Sequence, residues 1–147
     1  MKFVDKQLAT KLKEKGFDKP CLGFYNFIQD ELQLYCSNDR DVTYKNLLTS
    51  MKNNKVNFDA PTTDQVLEWL RDDKNVHIGI IPYFTMSIKN NIMWGWEILL
   101  VGKIMECTNI LYTDKDYNYT KMASENCCKS YDDACVDAIE FAIDNLI

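Results

Sequence analysis

The sequence has a single histidine, His77, only five glycines and three prolines in 147 residues, and no apolar run long enough to span a bilayer. Each shortage excludes something. Without some 18 consecutive apolar residues, a transmembrane helix is not expected. The opening MKFVDKQLATKLKEKGF is interrupted by lysines throughout, so it does not read as a secretory signal. Low glycine and proline content argues against collagen-like repeats, long disorder and flexible linkers. One histidine leaves thiol or hydroxyl nucleophiles short of their usual base. No GxxxxGK[ST] or GxGxxG is present, so a phosphate-cradling loop has no support. The six cysteines, at 21, 36, 107, 127, 128 and 135, form no CxxC or CxH pair. That spacing does not suit a structural zinc site, and the thiols read as reduced, small apolar residues.

What is present is an ordinary globular composition, 46% apolar and 12% aromatic, with net charge −5. Its length suits a single domain, 1–147, with a core that needs neither metal nor disulfide. The charge argues against non-specific binding to nucleic acid or anionic membrane. A cytoplasmic location is expected. Six lysines face three acids over residues 1–20, and three lysines face nine acids over 106–147. Both ends read as solvated helix faces.

Three helices are expected. Val4, Leu8, Ala9 and Leu12 recur at helical spacing over 5–15, and Gly16-Phe17 fits a Schellman stop. Thr62 and Gln65 form a capping box for a helix over 63–72. Ser130 starts a third over 131–146, whose stripe of Ala134, Ala138, Ile139, Ala142 and Ile143 calls for an apolar sheet face. An irregular helix is also expected at 44–52.

Two hairpins supply the sheet. LGFYNFI-QDE-LQLYC suggests pairing Ile28 with Leu32, which opposes Tyr25 to Tyr35 and Phe24 to Cys36. Leu22, Phe24, Leu32 and Leu34 then share one face and Tyr25, Phe27, Gln33 and Tyr35 the other. Residues 76–104 read as a longer hairpin pairing Ile88 with Ile92. That register opposes His77 to Lys103, Ile81 to Leu99 and Tyr83 to Glu97. Val76, Ile78, Ile80, Trp94, Trp96, Ile98 and Leu100 form its core face. A further strand is expected near 108–112. The expected fold is α+β: one antiparallel sheet of two hairpins, about four or five strands, with three helices mainly on one face.

LKEKGFDKPC, DAPTTDQVLEWLRDDKNVHIGI and the terminal Tyr-acid-acid-Ala-x(4)-Ile-x(4)-Leu-Ile resemble short bacterial proteins of prophage and other mobile regions. The resemblance implies a fold and a genomic setting and brings no catalytic or binding residue with it.

No catalytic, cofactor-binding or metal-ligating residue is assigned, and no cofactor is expected. The leading functional expectation is a non-enzymatic protein-interaction module, monomeric or homodimeric, with Tyr25, Phe27, Tyr35, Tyr83 and Glu97 forming an aromatic interaction face. The alternative is an enzyme whose site lies in 105–129, where Cys107, Cys127, Cys128 and Asp114 meet. A nucleic-acid-binding role comes third, because the aromatic residues lack a positive groove.

Overall fold

Asp5 opens the first helix by accepting a 2.8 Å hydrogen bond from the Leu8 amide, which starts α1 (Lys6–Glu14). Gly16 stops it at φ +87°, a conformation that side chains other than glycine adopt only with strain. The Phe17 amide then donates to Leu12 O at 2.9 Å and the Gly16 amide to Lys13 O at 3.1 Å, the paired bonds of the expected Schellman stop. Leu12 and Phe17 are both buried. The computed structural model describes residues 2–21, 23–26, 31–34, 57–84, 92–102, 110–114, 119–124 and 127–147. The expected helix at 44–52 lies outside them. The chain is α+β and gathers into two compact units, Met1–Gln65 and Val66–Ile147.

In the first unit β1 (Gly23–Asn26), β2 (Glu31–Leu34) and β3 (Asn57–Ala60) form an antiparallel sheet in the order β2-β1-β3, with α1 beside β3. The register corrects the expected one by three residues: Tyr25 opposes Leu32 rather than Tyr35, and Phe24 opposes Gln33 rather than Cys36. An odd slip reverses faces. Tyr25 therefore shares its face with Leu32 and, through β3, with the position of Phe58. The reason lies in the N-terminal arm. Val4 N donates to Pro61 O at 3.0 Å and Thr63 N to Lys2 O at 2.9 Å, so residues 2–4 run beside 61–63. The Tyr25 hydroxyl donates to Val4 O at 2.5 Å, which requires Tyr25 to point inward.

The capping box forms as expected and begins α2 (Thr63–Lys74). Gln65 N donates to Thr62 Oγ1 at 3.3 Å, and Gln65 Oε1 accepts from Thr62 N at 3.0 Å. The Gln65 amide nitrogen also donates to Pro20 O at 2.7 Å. Val66, Trp69 and Leu70 on this helix are buried.

In the second unit β4 (Val76–Phe84), β5 (Ile92–Val101), β6 (Ile110–Asp114) and β7 (Tyr119–Ala123) form a second antiparallel sheet, ordered β4-β5-β7-β6. The core face is the expected one: Val76, Trp96, Ile98 and Leu100 are buried, whereas Leu99 and Val101 are exposed. The register is displaced by four residues. His77 opposes Leu99, not Lys103; Ile81 opposes Gly95, not Leu99; Tyr83 opposes Met93, not Glu97. An even slip leaves both faces unchanged, so alternation alone cannot detect it. Gly95 is compatible with the observed register. A Cβ there would lie 2.5 Å from the Tyr83 ring and 2.7 Å from Ser124 Oγ, so only glycine lets that ring lie across β5.

The α3 helix (Tyr131–Asn145) begins at Ser130, whose Oγ accepts from Asp133 N at 3.1 Å. It packs on β5 and β4 through its expected stripe. Trp96 meets Phe141 at 4.8 Å between ring centroids and donates through Nε1 to Asp137 Oδ2 at 2.7 Å. Trp94 meets Tyr131 edge-on at 5.4 Å.

The single sheet of four or five strands is thus replaced by two sheets, with seven strands among the described residues. Strands 57–60 and 119–123, which the sequence reading did not foresee, take the second hydrogen-bonding sides of β1 and β5. Each hairpin takes its further strands within its own sheet. The helices are divided accordingly, α1 beside one sheet and α3 on the other, rather than gathered on one face.

Candidate functional site

Alternation along β4, β5 and β7 sends one set of side chains to the core and the other outward. Thr120 and Met122 are buried, which leaves Tyr119 and Lys121 on the outward side of β7. The outer row across the sheet runs His77, Leu99, Lys121, with Gly79, Glu97 and Ala123 beside it. An open depression of about 490 Å³ lies here, lined by His77, Gly79, Glu97, Leu99, Tyr119 and Lys121. Lys121 Nζ and Glu97 Oε2 stand 2.6 Å apart, both partly exposed. Such a pair contributes only about 0–1 kcal/mol to folding. Gly79 helps to open the depression, because a Cβ there would meet nothing closer than Glu97 O at 4.0 Å. Leu99 and Val101, 36% and 44% exposed, and Tyr83 at 36%, add apolar area to the same face.

The five residues expected to form one aromatic face are distributed differently. Tyr83 and Glu97 lie on this outer face, though not opposite each other. Tyr25 belongs to the other sheet and is buried, and burial, followed by the Asp5 charge, holds its hydroxyl above the usual tyrosine range. Its inward position removes it from any interaction face. Phe27 and Tyr35 lie outside the described residues. Lys121 and Tyr119 were missed. Their signal was five residues of alternation in Tyr119-Thr-Lys-Met-Ala123, obscured by a threonine at an inward position.

The residues of the alternative enzyme site are also partly placed. Cys107 lies outside the described residues. Asp114 opposes Tyr119 on β6, and Cys127 is exposed. Cys128 is tied to β5 by reciprocal backbone bonds with Trp94 at 2.8 and 2.5 Å. Burial raises its thiol pKa first, then the charges of Asp137 and Asp133. A thiol pushed upward in acidic surroundings is a weak nucleophile at neutral pH. Of the adjacent pair, Cys127 is exposed, whereas Cys128 is half-buried and bridged to Trp94. Among the described residues no three His, Cys, Asp or Glu groups come together as a metal site. Likewise, no helix among them is long and apolar enough to cross a membrane. Comparison with protein-family models, with curated proteins and with solved structures gives no match for this chain.

Proposed function

We propose that the chain is a non-enzymatic protein-interaction module that binds a partner protein over the outer face of β4, β5 and β7. The observation that carries this reading is the exposed group Tyr83, Leu99 and Val101 beside a depression edged by His77, Glu97 and Lys121. Apolar area with a polar rim is the usual anatomy of a protein interface. The elevated Cys128 thiol weakens the enzyme reading. Four described cysteines are free, which supports a reducing, cytoplasmic setting. The resemblance of LKEKGFDKPC and DAPTTDQVLEWLRDDKNVHIGI to proteins of prophage and other mobile regions supports a mobile-element origin.

The test places a photo-crosslinking residue at position 99 and, as control, at the exposed position of Asp132 on α3. Under this reading position 99 gives one defined adduct, and the purified partner binds about tenfold more weakly to Val101→Asp, equivalent to roughly 1.4 kcal/mol. No adduct, or equal adducts from both positions, refutes it.

A further inference from the structure

The outer edge of β4 offers backbone groups as a second surface, which meets the outer face at His77 and Gly79. In the order β4-β5-β7-β6, β4 has a strand on one side only among the described residues. Which of its backbone groups are spent on β5 follows from two observations. Val101 N donates to Asn75 O at 3.4 Å, which continues the ladder at an odd-numbered position of β4. On β5, Trp94 exchanges both backbone bonds with Cys128, and Trp96 O accepts from Ser124 N at 2.9 Å, so even positions of β5 face away from β4. Hydrogen-bonded pairs in an antiparallel ladder alternate. His77, Gly79, Ile81 and Tyr83 therefore bond β5. The N–H and C=O groups of Ile78 and Ile80, and the C=O of Pro82, point outward from the sheet. Gly79 and Pro82 are exposed, and Ile78 and Ile80 are half-exposed.

We propose that this edge pairs with β4 of a second copy of the chain, antiparallel, about a two-fold axis at Gly79. Self-pairing of one strand is an isologous contact, needing only that the strand complement itself. Three features of β4 fit this register. Ile78 opposes Ile80 of the second copy and, by symmetry, the reverse, so four outward N–H groups meet four outward C=O groups. The two half-exposed isoleucines of each copy then lie against those of the other. Gly79 opposes Gly79 of the second copy at a close, non-hydrogen-bonded position, with no side chain between the strands. Pro82, which lacks an N–H, falls opposite Val76 at the limit of the ladder. There its missing donor forfeits one terminal bond per strand rather than a central one. The two four-stranded sheets would continue into one.

The test is the oligomeric state of the whole chain, by sedimentation across a concentration series. A concentration-dependent dimer is expected, with the Ile78 and Ile80 amides gaining hydrogen-exchange protection as concentration rises. Gly79→Asp sets like charges directly opposite at the axis and is expected to weaken the dimer at least tenfold. Open space at this position should leave circular dichroism unchanged, while Glu97, opposite Gly79 within the same copy, is expected to lower the urea midpoint slightly without unfolding the chain. In a Cys127→Ser background, Gly79→Cys is expected to form a disulfide between the copies. A non-hydrogen-bonded pair places Cα atoms about 4.5 Å apart, within disulfide range. His77→Cys, opposite Ile81 in this register, is not expected to link. A monomer at every concentration overturns the proposal. So does a dimer that survives Gly79→Asp and yields no Gly79→Cys link. Variants of Leu99 and Val101 leave this result unchanged, so failure here and failure of the outer-face reading are separable.

Discussion

Trp96 joins three kinds of contact in one side chain: burial to 2% exposure, a ring contact with Phe141 and a hydrogen bond to Asp137. Trp96→Ala is therefore expected to cost about 3–5 kcal/mol in urea denaturation, with an unchanged m-value. A loss below about 1 kcal/mol would show that α3 does not hold this ring in place. Gly95 makes the opposite case, where adding one carbon does the damage. Gly95→Ala puts a methyl group within 3 Å of both the Tyr83 ring and Ser124 Oγ. Ser124 cannot easily retreat, because its Oγ accepts from Trp96 N at 3.1 Å. The expected loss is about 1–3 kcal/mol. The Tyr83 ring is exposed and able to swing away, so Gly95→Ala in a Tyr83→Ala background should cost less than in the native chain. Strict additivity of the two substitutions would show that ring and glycine are not coupled.

Local signals were legible because each closes within one turn of chain. The α1 stop needs Leu12, Gly16 and Phe17, and the α2 start needs only Thr62 and Gln65. Thr62→Ala is expected to lower stability by about 0.5–2 kcal/mol. Gln65→Ala should cost more than Thr62→Asn, because Gln65 also ties Pro20 through its side-chain nitrogen. Thermal unfolding of the two variants measures this directly, and equal shifts would make the Pro20 bond inconsequential. Pairing partners were legible only in part. In the β4–β5 hairpin the face is visible in the even positions from Val76 to Leu100, whereas an even slip of register keeps the same faces and no alternation reveals it. In β1 the face itself was misread. Tyr25 turns inward to reach the Val4 carbonyl, 21 positions earlier, and nothing in LGFYNFI encodes that partner. The outer-face site was half legible for the same reason: Tyr83 and Glu97 sit on the two strands of a marked hairpin, while Lys121 sits on a strand of five residues.

Across the whole molecule, the buried groups whose protonation folding shifts are a thiol and a phenol, Cys21 and Tyr25. Both act at the alkaline end. Burial, and secondarily the Asp59 charge, pushes the Cys21 thiol up to about 12, against roughly 8.5 in an unfolded chain. Burial, and then Asp5, raises the Tyr25 hydroxyl as well. Both groups are neutral when protonated, so folding favours the protonated form of each. Their contribution is complete below the unfolded-state values and is lost as pH rises through the folded-state ones. The urea midpoint is therefore expected to hold nearly level from pH 6 to about 8 and to fall progressively from about 9 toward 12. The rest of the chain also responds to alkaline pH, so the comparison must be made against a variant. Cys21→Ala with Tyr25→Phe keeps the rest of the chain and removes both buried acids. It should start from a lower midpoint at pH 7, because Tyr25→Phe leaves the Val4 carbonyl without its donor, yet lose less between pH 9 and 11. Parallel declines in the two proteins would mean that neither buried group sets the alkaline limit.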